Sequence, residues 1–110
     1  MKETIARFRD LLVHRMAVLE DEVRLAEALY KERQGDYRDV TLENVAVIER
    51  QARDLAHAKA HFKSMDIDAF ESVEDFRRSA LATLQKLYDS RAMLRAGVRM
   101  LIECVRDLHC

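Results

Sequence analysis

His57 and His61 stand one helical turn apart, with Asp54 nearly a turn before His57. Residues three and four apart share a helix face, so two imidazoles and a carboxylate could jointly hold a divalent metal. Dedicated zinc sites take three or four ligands and usually add cysteines at short spacing. Di-metal carboxylate bundles take paired Glu-x-x-His elements on inward faces, and the chain contains no Glu-x-x-His. Both histidines fall on the polar side of their helix beside Arg50, so solvated surface groups are expected, with no metal and no cofactor. Cys104 and Cys110 are the two thiols. Six residues along a helix separate their α-carbons by about 9 Å at about 1.5 Å per residue, beyond the roughly 7 Å that a disulfide spans. Two reduced thiols are the expectation. Arg15 and Glu22 project into an otherwise apolar arc of the first helix. Arg91, which continues the row Leu84, Leu87, Leu94, Val98 and Leu101, falls near the same layer. A charge in such an arc must be paired or reach water. Snorkelling side chains or a register-fixing ion pair are expected, with a polar ligand pocket as the alternative.

The elements that position these groups are helices. The chain of 110 residues is 49% hydrophobic and 35% charged, with no proline and two glycines. That composition is too apolar for disorder and too poor in turn residues for a β-rich fold. Residues 2–34 carry Ile5, Phe8, Leu12, Met16, Leu19, Val23, Ala26 and Tyr30 at steps of three or four, with Leu11, Val18, Leu25 and Leu29 as a second row beside them. Two rows make a face wide enough for two neighbouring helices. Gly35 is the natural stop, and Asp36 or Asp39 caps a second helix over 38–64, whose inward row is Val45, Ile48, Ala52, Leu55, Phe62 and Met65. Residues 65–71 break the pattern and read as a connection with a short helical turn. Ser72 and Asp75 then form a capping box, opening a third helix over 72–109. Short connections favour antiparallel neighbours. The expected fold is all-α: one domain over 1–110, an elongated up-down-up antiparallel bundle of three long helices.

The last stretch, RAMLRAGVRMLIECVRDLHC, is the least ordinary. On a wheel, Arg91, Arg95, Arg99 and Arg106 gather within roughly 80°, while the apolar residues span roughly 200°, about twice the usual amphipathic stripe. Met93, Leu94, Gly97, Val98, Met100, Leu101, Cys104 and Val105 lie in that arc. Gly97 costs about 0.5–1 kcal/mol against alanine in a helix interior, which a closely packed neighbour would compensate. Two helices of the same chain cover only part of the arc. These eight residues are therefore the candidate partner-binding surface, for a second copy or another protein. Methionines at its flank suit a surface that adapts to partners.

Two resemblances add expectations. The string Phe8-Arg9-Asp10-Leu11-Leu12-Val13-His14-Arg15-Met16 resembles the Arg-Asn/Asp-x-x-Val-His-x-Tyr signature of HEPN ribonucleases at Arg9, Asp10, Val13 and His14, with Met16 in the tyrosine position. It implies RNA cleavage in which Arg9 meets the phosphate charge and His14 moves a proton, converging with a second subunit. Over the whole chain, a long helix, the turn Gln34-Gly35-Asp36-Tyr37, a slim alanine-rich second helix and an amphipathic C-terminal helix are similar to flagellar and type III export chaperones of the FlgN/FliT kind. That resemblance implies a bundle holding an amphipathic helix of an export substrate.

The formal net charge of −1 argues against a chain whose main task is wrapping nucleic acid. The N-terminal MKETIARFRD is too polar for a secretory signal, and no apolar run approaches a membrane span. A cytoplasmic location is expected. The reading is a non-enzymatic binding or adaptor protein, export-chaperone-like and homo-oligomeric or partnered through its C-terminal helix. The alternative is a HEPN-type RNA-cleaving protein acting through Arg9 and His14.

Overall fold

Hydrophobic rows at helical spacing form helices wherever the computed structural model describes the chain, which is over residues 1–33, 42–90 and 95–108. The elements are α1 (Lys2–Arg33), α2 (Leu42–Lys63), a 3-10 turn (Ile67–Ala69), α3 (Val73–Ser90) and α4 (Arg95–Asp107). No strand occurs among the described residues. The molecule measures 53 × 20 × 19 Å, and α1, about 48 Å long at about 1.5 Å per residue, sets the long axis. The all-α, elongated fold expected above is therefore what forms. The expected caps of the second helix, Asp36 and Asp39, and its stop signal Gly35 lie outside the described residues.

α2 runs antiparallel to α1, as their cross-links show. Lys31 Nζ meets Glu49 Oε1 at 2.9 Å, Glu20 pairs with Lys59, and Arg9 Nη1 donates to the Met65 carbonyl at 3.3 Å. The connection holds the short turn expected of it: the Asp66 carboxylate accepts from the Asp68 amide at 3.0 Å, and Lys2 reaches Asp68 at 2.9 Å. α3 opens on the expected cap, with the Asp75 amide donating to Ser72 Oγ at 3.1 Å. The Asp75 carboxylate accepts instead from Glu71, one residue before the cap, at 3.3 Å. The first satisfies an amide that the helix start leaves free, and the second ties the preceding residue of the connection to the helix.

The third helix expected over 72–109 is two helices, α3 and α4, packed side by side. Arg99 donates to the Tyr88 hydroxyl at 3.4 Å, and Gln85 and Arg106 line one shallow depression. On a single helix those two would stand about 32 Å apart, so α4 runs back along α3. Ile5, Phe8, Leu12 and Met16 of α1, Leu55 and Phe62 of α2, Phe76, Ala80, Leu84 and Leu87 of α3, and Val98, Leu101, Ile102 and Val105 of α4 form one buried cluster. Phe76 sits edge-on to Phe8 and Phe70, with centroids 6.1 and 5.5 Å away. The core thus occupies the half of the rod where all four helices meet.

Candidate partner-binding groove

α1 has three kinds of flank. Its inward row is fully buried from Ile5 to Met16 and half-buried at Leu19, Val23, Ala26 and Tyr30. The flank towards α2 is a charge seam. Glu27 accepts from both Arg24 and Lys31 at 3.0 Å, and Lys31 also reaches Glu49. Lys31 foremost, then Arg24, holds the Glu27 carboxyl below its ordinary value against the opposing effect of burial. Glu49 and Glu27 in turn raise the Lys31 ammonium. These exposed bonds fix register more than they stabilise.

The remaining flank carries the second apolar row. Leu11, Val18, Leu25 and Leu29 are all exposed, Leu25 by 63%. The expectation that two rows would be covered by two neighbouring helices is corrected here. α4 lies over Leu19 rather than over the Leu11–Val18 line, and α3 and α4, at 18 and 13 residues, are much shorter than α1 at 32. Singly scattered exposed leucines are ordinary on protein surfaces; four apolar residues along one flank of a helix, interleaved with Arg15 and Glu22, make that flank a candidate interaction surface.

Between the inward row of α1 and α4, with α2 closing one end, runs a groove made of two adjoining depressions of about 360 and 340 Å³; of the exposed row only Val18 lines it. They share Leu19, Glu22, Gly97 and Met100. Val23, Ala26, Ile48, Gln51 and Ala96 complete one, and Arg15, Val18, Leu101 and Cys104 the other. Its floor exists because α4 approaches α1 at Gly97. A β-carbon there would come 2.5 Å from Leu19 Cδ1 and 2.9 Å from Cδ2, which explains a glycine inside a helix. Gly97→Ala should shift stability by less than about 1 kcal/mol, because the helix gain of about 0.5–1 kcal/mol is offset by moving the Leu19 methyls. Gly97→Val, which adds bulk over the same contact, should cost about 1–3 kcal/mol. Urea denaturation of the two variants checks the pair; equal stability would mean that no close approach exists.

The residues expected to bind a partner divide sharply. Gly97, Met100, Leu101 and Cys104 line the groove, and Met100 is 66% exposed. Val98 and Val105 face away from it as fully buried core, and Leu101 is buried as well. Met93 and Leu94 lie outside the described residues. Most of the wide arc of α4 is therefore spent on the bundle itself. Arg15 and Glu22 are exposed on the groove wall, not a buried layer, and Arg91 lies outside the described residues. Cys104 is a free, half-buried thiol, and Cys110 lies outside the described residues.

Arg9 and His14 are not brought together. They lie about 140° apart around α1 at about 100° per residue. The Arg9 guanidinium is engaged by the Met65 carbonyl and by Asp10 at 3.1–3.2 Å, while His14 is exposed. His57 and His61 are both exposed, His61 edge-on to Phe62. Among the described residues no three His, Cys, Asp or Glu side chains gather as a metal site would require, and no helix is long and apolar enough to cross a membrane.

One groove residue went unmarked in the sequence. Gln51 is 3% exposed, and its Oε1 has no hydrogen-bond partner among the described residues. Its place beside the inward Ala52 and Ile48 was the available signal. The row Leu11, Val18, Leu25 and Leu29 was visible, but its periodicity could not say that nothing in the chain covers it. Comparisons with protein-family models, curated proteins and solved structures return no match.

Proposed function

We propose that this chain is a non-enzymatic helical binding protein whose α1–α4 groove receives an amphipathic helix of a protein partner. The observation that carries this reading is the exposed line Leu11, Val18, Leu25 and Leu29, running beside a groove floored by Gly97 and rimmed by Met100. An amphipathic helix presents apolar side chains at steps of three and four, the spacing that such a line accepts. The resemblance to export chaperones implies the same physics: a bundle that covers the apolar face of a carried helix.

The test uses a labelled synthetic peptide with leucines at heptad spacing, titrated with the full chain and followed by fluorescence anisotropy. Saturable binding is expected. Val18→Glu and Met100→Glu should each weaken it by about tenfold or more, since a buried apolar side chain contributes about 1.5–3 kcal/mol, while helicity by circular dichroism is unchanged. Absence of binding by a monomeric chain, or binding indifferent to both substitutions, removes the reading.

A further inference from the structure

The charges interleaved with the exposed row are ordered along α1. Leu11, Arg15, Val18, Glu22, Leu25 and Leu29 follow one another at alternating steps of four and three, the spacing of a coiled-coil seam. Arg15 lies in the first half of that seam and Glu22 in the second, and both are exposed. The edge of the seam is mixed in sign: Arg7 and His14 stand towards the N-terminus together with Glu3 and Asp10, and Asp21 and Glu32 towards the C-terminus, all exposed.

A seam basic in one half and acidic in the other has a self-complementary partner. If a second α1 lies antiparallel on the first, with a two-fold axis crossing at Val18, Val18 meets its own twin and Leu11 falls opposite Leu25. Each Arg15 then stands within one residue, about 1.5 Å along the axis, of the level of the other copy's Glu22. A parallel arrangement in register sets Arg15 on Arg15 and Glu22 on Glu22, which like-charge repulsion opposes. A closed two-fold contact uses the same patch on both partners, and this one patch supplies both halves of every charge pair.

We infer that the helix occupying the groove edge is α1 of a second copy of this chain, packed antiparallel through Leu11, Val18 and Leu25 with reciprocal Arg15–Glu22 pairs. This rests on the reading of that face as a helix-docking surface and names its occupant. The contact lies beside Met100 and leaves the buried row from Ile5 to Met16 untouched, so each subunit keeps its own core.

Light scattering across a concentration series up to about 100 μM, where a dimer of micromolar affinity is formed, tests the inference with the full chain. The wild type should have the mass of a dimer. Arg15→Glu and Glu22→Arg alone should each weaken association about tenfold or more, because each reversal creates two like-charge contacts by symmetry. The double variant R15E/E22R should restore the dimer. A monomeric wild type, single reversals that leave the mass unchanged, or a double variant no better than either single would overturn the proposal. A monomeric wild type that still binds the heptad-leucine peptide refutes the second copy alone; one that binds neither refutes the docking surface with it.

Discussion

Phe76→Ala should lower the free energy of unfolding by about 3–5 kcal/mol, the usual loss when a buried phenylalanine is truncated. Phe76 is fully buried at the start of α3 and is the ring on which the others converge: Phe8 of α1 and Phe70 of the connection both meet it edge-on. Removing it leaves both edges without a partner and opens a cavity where α1, α3 and the 3-10 turn join. A domain of this size has only about 5–15 kcal/mol of stability in all, so the variant should melt roughly 10–25 °C lower. Urea and thermal denaturation followed at 222 nm measure it. A loss below about 1.5 kcal/mol would mean that the aromatic cluster is not packed as described.

The second large effect has the opposite sign. Gln51→Leu should stabilise the chain by about 1–3 kcal/mol, the cost of leaving a buried polar group without a hydrogen bond. Leucine has a similar volume, and the neighbours Ile48, Ala52 and Leu55 are buried and apolar. Gln51→Ala supplies the contrast: it removes the same acceptor but leaves space behind, so it should be less stable than Gln51→Leu. If Gln51→Leu instead loses stability, the carboxamide has found a partner in solution. Its position on the groove wall beside Glu22 would make the groove's occupant the first place to look. Such a cost is tolerable at a binding surface, where a buried acceptor can set the register of a docked helix.

The inward rows were legible because burial and helical period are both local patterns. Ile5, Phe8, Leu12 and Met16, and likewise Val45, Ile48, Ala52, Leu55 and Phe62, were read directly and are buried. Ser72 with Asp75 was legible for the same reason, since a capping side chain reaches amides only two or three residues away. The break between α3 and α4 was not. The buried row Phe76, Ala80, Leu84 and Leu87 continues in phase through Val98, Leu101 and Val105, so hydrophobic periodicity reads straight across it. No proline or glycine stands between Ser90 and Arg95 to mark a stop.

The candidate groove was half legible. Gly97 implied a close neighbour, and Leu19 is that neighbour; the breadth of the apolar arc implied more than one contact, and α3 and α1 supply them. Arg9 shows what chemistry-bearing types alone leave open. The resemblance to HEPN ribonucleases implied a phosphate contact for it, yet its guanidinium ties α1 to the end of α2 through the Met65 carbonyl.

The amino-acid sequence by itself determined that this chain is helical, where α1 and α3 begin, and which residues of each helix are apolar. Only the tertiary structure decided which of those apolar faces is covered. Folding α4 back along α3 spends most of the broad arc of RAMLRAGVRMLIECVRDLHC on the core, and α4 packs over Leu19 to one side of the second row, so Leu11, Val18, Leu25 and Leu29 stay exposed on the chain. The physical reason is that a hydrophobic period records a preference for burial without naming the surface that provides it; that depends on where other helices pack.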